Sequence, residues 1–556
     1  MRKDRPMRRL TLLALLATAA PAHALDLTAT VLANKTAYIP PQCYTKTEDA
    51  QGAVHNPCQT CHTLPRAPNF VSDPDLQQDY AMPGPALENP WTNLFVDRRA
   101  AVAATDAEEI RDWVRTDNYR GADGRPVLAA RLDRLPPEWD ANGDGAWAGY
   151  RPDAFFAFDD EGFDHAPDGR RTGWRAFAYV PLPGTFWPTN GSTDDVMIRL
   201  PDAYRQTADG TESLAVYKAN LAITEALINR ADVAIEPMDE AALGVDLNRD
   251  GALATATRVA FAFAPLEGVT MHWAGRAGTL GPKEAPLAAG LYPLGTEFLH
   301  SVRYLDPRPE GVTMAPRMKE LRYMKKTSWQ NYADLEEGAL AEKKEDADFP
   351  DRPKQFFGSA EAGIPNGMGW RLQGFIEDAA GDLRPQSFEE TVFCMGCHGS
   401  IGTTDDSTFA FPRKLSGPGS FRDGWYHWTQ KGLSGTPDLV RADGQGDYAH
   451  YLRTNHAGDE FRSNAEVIAA WLEDGDLADD KAAALTADIA PLVTPSPERA
   501  IALDAAYRMI VREQSFVKGR DATITPQDAT VWRRVEQDAP TGITEPADPW
   551  FYRLKR

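Results

Sequence analysis

The sequence lacks any long apolar run outside its first residues. The run Leu10–Ala20 is too short to cross a bilayer, and nothing later approaches the roughly 18 apolar residues that a transmembrane helix needs. Five basic residues precede this run, and Ala22-His23-Ala24 follows it as a small-x-small cleavage site. These features predict a signal peptide over residues 1–24, cleaved after Ala24, and a soluble exported protein with no membrane span. No cysteine lies near the cleavage site to carry a lipid.

The chain also lacks an excess of positive charge. It holds 59 Lys and Arg against 81 Asp and Glu, and its formal net charge is −22. A surface of this sign argues against binding to nucleic acid or to anionic lipid, and it suits attraction of a basic redox partner. A soluble protein without any such partner could have the same composition, so the net charge does not identify a partner.

Cysteine is scarce, and its few positions are patterned. The chain has five cysteines, and four of them lie in two copies of Cys-x-x-Cys-His, at residues 58–62 and 394–398. Two thiols at this spacing, followed by an imidazole, suit covalent haem attachment through two thioethers with the histidine on iron. The alternative is a zinc or redox Cys-x-x-Cys with an incidental histidine. We predict two c-type haems held by Cys58, Cys61, Cys394 and Cys397, with His62 and His398 as proximal iron ligands.

Four other residues are candidates for the far side of an iron. Cys43 stands 15 positions before Cys58 without a protein partner, and His55 precedes that cysteine by three. His300 lies within an apolar stretch, and His427 lies between aromatic residues. Each has a structural alternative: a buried or intermolecular thiol for Cys43, and a satisfied structural histidine for the others. Haem is attached after export in bacteria, so the patterns and the signal peptide together indicate the periplasm.

Two loops share the start of a calcium-binding pattern. Alternate oxygen side chains followed by a turn glycine place hard ligands on one side of a tight loop. Neither loop has glutamate at the twelfth position, where Arg151 and Thr257 stand, so neither is a complete EF-hand. An Asx-rich turn is the alternative. The possible calcium ligands are Asp140, Asn142, Asp144, Asp246, Asn248 and Asp250.

Hydrophobic periodicity predicts an α+β protein. Apolar residues at helical spacing predict helices over 106–115, 213–229 and 499–513, and Asn464 is a plausible helix cap. Alternating runs predict strands within 174–180, 196–200 and 258–263. Helical, loop-rich haem-binding regions would then flank an α+β middle region. The predicted divisions are a signal peptide (1–24), an N-terminal haem-binding region (25–135), the middle region (136–330), a second haem-binding region (331–460) and a helical C-terminal region (461–556).

The two Cys-x-x-Cys-His segments resemble those of dihaem c-type cytochromes, and the chain is loosely similar to bacterial dihaem peroxidase-type enzymes. In those peroxidases calcium lies between two haem domains, which the two acidic loops would suit. The first and second patterns start 336 residues apart, wider than adjacent compact cytochrome domains require. The resemblance therefore implies a large insertion or a different fold, and it carries over no catalytic residue beyond His62 and His398.

Two functions follow from this resemblance. The first is a periplasmic oxidoreductase, similar to the dihaem peroxidases, in which one haem relays electrons and the other binds a small substrate. The second is a non-catalytic electron-transfer cytochrome whose middle region docks a partner. We favour the enzyme, because a large amount of protein surrounds only two haem motifs. The partner would be a small redox protein or a small-molecule substrate, and the sequence does not give the oligomeric state.

Overall fold

The computed structural model describes residues 27, 32–46, 52, 54–185, 187–399, 401–415, 421–455, 464–544 and 546. The predicted signal peptide lies outside the described residues. Within them the protein is α+β, as the sequence predicted, with one large antiparallel sheet and many short helices. The finer prediction, of helical haem-binding regions on either side of a middle region, is not shown. The five predicted divisions of the chain stay predictions.

The strands are concentrated between residues 163 and 385. They are β1 (Phe163–His165), β2 (Arg171–Phe177), β3 (Thr193–Asp194), β4 (Val196–Arg199), β5 (Val233–Asp239), β6 (Thr255–Val259), β7 (Glu297–Arg308), β8 (Gly311–Lys326), β9 (Ile364–Pro365), β10 (Trp370–Glu377), β11 (Leu383–Pro385), β12 (Leu472–Glu473) and β13 (Asp476–Leu477).

The helices are distributed along the whole described chain. They are α1 (Cys58–Cys61), α2 (Arg99–Ala103), α3 (Ala107–Arg115), α4 (Val127–Leu132), α5 (Leu214–Asn229), α6 (Glu240–Leu243), α7 (Gly275–Thr279), α8 (Tyr332–Asp348), α9 (Phe388–Val392), α10 (Met395–His398), α11 (Trp428–Lys431), α12 (Asp447–Asn455), α13 (Ala465–Trp471), α14 (Asp479–Leu485), α15 (Ala490–Val493) and α16 (Pro497–Glu513). Among the described helices, none combines the length and the hydropathy that crossing a bilayer requires.

The central sheet has nine strands in the order β1-β2-β4-β7-β8-β10-β11, with β3 added beside β7 and β9 beside β10. The long hairpin β7–β8 lies at its centre. The two strands pair from Glu297 opposite Lys325 to Arg308 opposite Gly311. Both strands are buried along most of their length, because helices and loops cover the sheet on both faces. The turn end of this hairpin forms one wall of the cavity described below.

Local sequence signals explain where the main helices begin. Ser213 caps α5 by accepting a hydrogen bond from Val216 N, and Asn464 caps α13 in the same way through Val467 N. The predicted helices over 106–115, 213–229 and 499–513 are confirmed within two residues at each end. Helix α5 is buried along almost its whole length and forms part of the largest apolar cluster.

Candidate functional site

The two Cys-x-x-Cys-His segments lie next to each other in the fold. Asp73 joins them: its carboxylate accepts from His62 Nδ1 at 3.1 Å and from Gly402 N at 3.1 Å. The backbone N–H of Thr403 also donates to Cys61 O at 3.2 Å. The fold therefore brings together two segments that are more than 300 residues apart in sequence.

All five cysteines are free thiols in this structure. Burial raises the pKa of Cys58 to about 12 and that of Cys397 to about 11. Burial also raises the pKa of Cys43, and the neighbouring thiols of Cys58 and Cys397 raise it further. A thiol with such a pKa is protonated at neutral pH and is a weak nucleophile. The thiols therefore form a protonated interior cluster.

The candidate axial histidines lie at different places. His55 is buried, with Nδ1 3.4 Å from Thr454 O. His300 lies in β7 opposite Arg322. Burial, and to a lesser extent the positive charge of Arg322, lowers the pKa of His300 to about 3, so its imidazole is neutral. His427 binds Asp195 through Nε2. Nε2 of His427 is therefore already hydrogen-bonded to a carboxylate and is not available as a ligand.

The side chains of the two acidic loops each accept a hydrogen bond from the backbone of their own loop, whereas Oδ1 of Asp246 is buried without a partner within the described residues. Asp140 accepts from Gly143 N and Gly145 N, both at 2.8 Å, and the other side chains of the two loops accept in the same manner. This is the Asx-turn arrangement. Among the described residues, no group of three or more His, Cys, Asp or Glu side chains is placed to hold a metal ion.

A cavity of about 590 Å³ opens at the turn end of the β7–β8 hairpin. Its walls come from β3, β7, β8, α11 and α15, together with loop residues that precede and follow them. Much of the lining is apolar and includes Phe156, Met314, Trp428, Leu433 and Val493. Distant parts of the chain therefore meet here, so the cavity is a property of the fold and not of one local motif.

Several polar atoms of the cavity wall have no partner within the described residues. They are Oγ1 of Thr193, Oδ1 of Asp194 and Oγ1 of Thr436. The residues are 8%, 6% and 0% exposed. Buried polar groups in folded proteins are nearly always hydrogen-bonded, and each exception needs an explanation. These three oxygens belong to residues of the cavity lining but are themselves buried behind its surface.

The charged residues of the wall are mostly basic. Arg120, Arg303, Arg308 and Lys431 line the cavity, and Asp194 is the acidic residue of the lining. Burial raises the pKa of Asp194 to about 8, and the adjacent Asp195 adds to this, so its carboxyl is neutral at pH 7. Three of the basic groups also face carboxylates: Arg120 faces Asp117, Arg303 faces Asp195, and Arg308 faces Asp306. Lys431 is the fourth basic residue of the lining.

A buried network lies behind the cavity wall. Asp195 Oδ2 accepts from His427 Nε2 at 2.8 Å and from Ser301 Oγ at 2.5 Å, while Oδ1 accepts from Ser301 N at 2.6 Å. Arg303 Nε donates to Ser301 Oγ at 2.7 Å. Burial acts to raise the pKa of Asp195, but the hydrogen bond from His427, the charge of Arg303 and the hydrogen bond from Ser301 outweigh it and lower the pKa. Asp195 is thus an ionised carboxylate inside the protein.

Sequence reasoning missed most of this site. His427 was singled out, but as an iron ligand, because its aromatic neighbours suggested haem packing. Asp195 is 232 residues away from it in the chain. One feature of the sequence does mark Asp194 and Asp195: these two adjacent acidic residues stand directly before the apolar run of β4.

Comparisons with known proteins give one consistent description. A family model whose description reads "-like lipoprotein" matches residues 27–489. A protein described as an uncharacterized lipoprotein from Aquifex aeolicus (strain VF5) is 33% identical over 529 residues, which cover 87% of this chain and 85% of that protein. No solved structure matches the chain. Neither description names a cytochrome, a haem or an oxidoreductase.

These findings overturn the resemblance to dihaem c-type cytochromes and dihaem peroxidase-type enzymes. The predicted oxidoreductase function, its electron-transfer alternative and the iron and electron-transport roles are corrected with it. The predicted cofactors, two covalent haems and calcium, are also wrong, because the described residues form no metal-holding group. Two copies of a five-residue pattern cover a small part of the sequence, whereas the family match covers most of it.

Proposed function

This chain belongs to the lipoprotein family that its sequence matches, and on that premise we propose that it is an exported binding protein whose cavity takes a small organic anion. The family name implies export and describes the members of the family as lipoproteins, so it corrects the soluble periplasmic protein predicted from the sequence to an exported one.

The observation that carries the proposal is the composition of the cavity lining, in which apolar side chains stand together with four basic ones: Arg120, Arg303, Arg308 and Lys431. Sites for small molecules typically measure about 300–1,000 Å³, are largely apolar and hold a few converging polar groups. A cavity of about 590 Å³ with this lining has that composition.

Charge favours an anion over a cation. Four basic side chains line the cavity, and the carboxyl of Asp194 is neutral at pH 7 because its pKa is raised to about 8. A neutral carboxyl can donate a hydrogen bond to a carboxylate, sulfonate or phosphate oxygen. The apolar lining meanwhile requires that the ligand have an apolar body, so the expected ligand is an organic anion and not a bare inorganic ion.

The test is a fluorescence titration with 1-anilinonaphthalene-8-sulfonate, an aromatic sulfonate, using the full chain. We expect saturable binding that benzoate displaces and that benzylammonium, of similar size and opposite charge, does not. Lys431→Gln removes a cavity charge and should weaken binding about fivefold, which corresponds to ~1 kcal/mol. Lys344→Gln, on the exposed face of α8, is the matched control.

Two results would count against the proposal. One is the absence of saturable binding to the folded protein. The other is equal displacement by benzoate and benzylammonium, which would show that the cavity does not select charge.

A further inference from the structure

We propose that the cavity also hydrolyses esters of the organic anions that it binds, with the hydroxyl of Thr429 as nucleophile. This inference rests on the proposed binding function, because the same cavity would hold the ester. Thr429 lies in α11, is exposed, and is one of the residues that line the cavity. It connects the cavity to the buried network behind the wall.

Three side chains form a chain of hydrogen bonds from the cavity inward. The hydroxyl of Thr429 lies 2.7 Å from His427 Nδ1, and His427 Nε2 lies 2.8 Å from Asp195 Oδ2. A hydroxyl, an imidazole and a carboxylate in hydrogen-bond contact are the three groups of nucleophilic hydrolases. Such constellations are recognised by geometry and not by sequence order, so the separation of these residues in the chain is no objection.

The hydrogen bonds fix which imidazole nitrogen carries the proton. Asp195 is an ionised acceptor, so Nε2 donates to it and holds the proton. Nδ1 is then the unprotonated nitrogen, and it also accepts from Thr429 N at 3.2 Å. In this tautomer Nδ1 can take the proton of the Thr429 hydroxyl, which is the function of a general base.

The base is held rigidly. The ring of Phe158 stacks on His427 at 4.6 Å between centroids, and Asp195 is fixed by two hydrogen bonds from Ser301. His427 and Asp195 are each 1% exposed. An imidazole that only capped the four-residue helix α11 would need the bond from Thr429 N and nothing more. The buried carboxylate behind it is the feature that a cap does not explain.

The reaction would have two steps. Thr429 Oγ1 attacks the ester carbonyl carbon as its proton moves to His427 Nδ1, and the carbon–oxygen bond to the alcohol then breaks as the alcohol takes that proton. Water next attacks the acyl carbon as one of its protons moves to His427 Nδ1. The bond between that carbon and Thr429 Oγ1 then breaks, Oγ1 takes the proton back from His427, and the carboxylic acid is released. Asp195 stabilises the imidazolium formed in each step.

The test is hydrolysis of 4-nitrophenyl butyrate by the full chain, followed by absorbance and by intact-protein mass. We expect Thr429→Val to lower turnover by about 100-fold or more, because it removes the hydroxyl at nearly constant volume. Thr429→Ser should retain turnover and accumulate a butyryl adduct. Thr525→Val, at an exposed position, is the control.

Binding of 1-anilinonaphthalene-8-sulfonate separates this inference from the one on which it rests. Thr429→Val should bind the probe as the unsubstituted protein does. If the unsubstituted protein binds the probe but releases no 4-nitrophenol, or if Thr429→Val hydrolyses the ester at the same rate, the inference is overturned and the binding function stands. Failure to bind the probe would overturn both.

Discussion

Asp194 and Asp195 are neighbours in the chain, and the fold gives their carboxyls opposite ionisation. Burial and the adjacent charge of Asp195 raise the pKa of Asp194 to about 8, whereas the contacts of Asp195 with His427, Arg303 and Ser301 lower its pKa in spite of burial. Successive side chains of an extended segment point to opposite faces. One carboxyl therefore lines the cavity in neutral form, and the next one supports His427 as an anion.

The first prediction concerns the pH dependence of stability. The folded protein holds the Asp194 proton up to about pH 8, whereas an unfolded aspartate releases it near pH 4. Between these values the folded state binds more protons, so stability falls as pH rises through this window. Asp194→Asn cannot ionise, so its free energy of unfolding, relative to that of the unsubstituted protein, should rise by about 4 kcal/mol between pH 5 and pH 9.

Urea unfolding at the two pH values measures this difference. Asp123→Asn, at an exposed loop position, is the control and should show no pH-dependent difference. An Asp194→Asn protein whose stability relative to the unsubstituted chain is the same at pH 5 and pH 9 would show that Asp194 is ionised throughout.

The second prediction concerns a buried ion pair beside the cavity. Arg413 and Asp447 are both 0% exposed and lie 3.0 Å apart, and Arg413 also donates to Val180 O and Pro181 O, two residues of the cavity wall. Arg413→Met leaves the carboxylate buried without its partner. It should lower the free energy of unfolding by about 3–5 kcal/mol and weaken binding of the anionic probe.

The surface pair of Arg111 and Glu108 provides the comparison. Arg111→Met should change stability by less than ~1 kcal/mol, because exposed pairs contribute little. Equal effects of the two substitutions in chemical denaturation would contradict the assignment of Arg413 to the core.

The third prediction concerns Cys43, the first cysteine of the chain. Cys43 is partly buried and packs against the largest apolar cluster. A lipid on its thiol would have to disturb this packing. We expect Cys43 to carry no acyl group, so labelling of the expressed protein with radioactive palmitate should be the same in Cys43→Ser and in the control Cys394→Ser. Label that disappears only in Cys43→Ser would contradict this.

The helices that sequence reasoning located are those with a clear apolar face and a capping residue. Helix α8 has no such apolar face, because charged residues make up much of it and only Leu335 and Ala339 are buried. Its start is set by Asn331 and Asp334, which form a capping box. Apolar periodicity reports burial, so a helix with little burial gives a weak signal even when its cap is favourable.

The candidate site was predictable only in part, for a related reason. His427 stands out because of its aromatic neighbours, but its function depends on Asp195, which the fold brings to it across 232 residues. The cavity is built from strands, helices and loops between residues 120 and 494. Local patterns such as Cys-x-x-Cys-His describe neighbours in the chain, and no local pattern describes a wall assembled from such distant segments.

The most direct test of the proposed function is the affinity for 1-anilinonaphthalene-8-sulfonate measured from pH 6 to pH 9.5. Ionisation of Asp194 places a negative charge beside the bound sulfonate, so affinity should fall as pH rises through about 8 in the unsubstituted protein and stay nearly level in Asp194→Asn. Saturable binding with this difference would support an anion-binding cavity at Asp194. Parallel pH profiles for the two proteins, or no saturable binding, would contradict it.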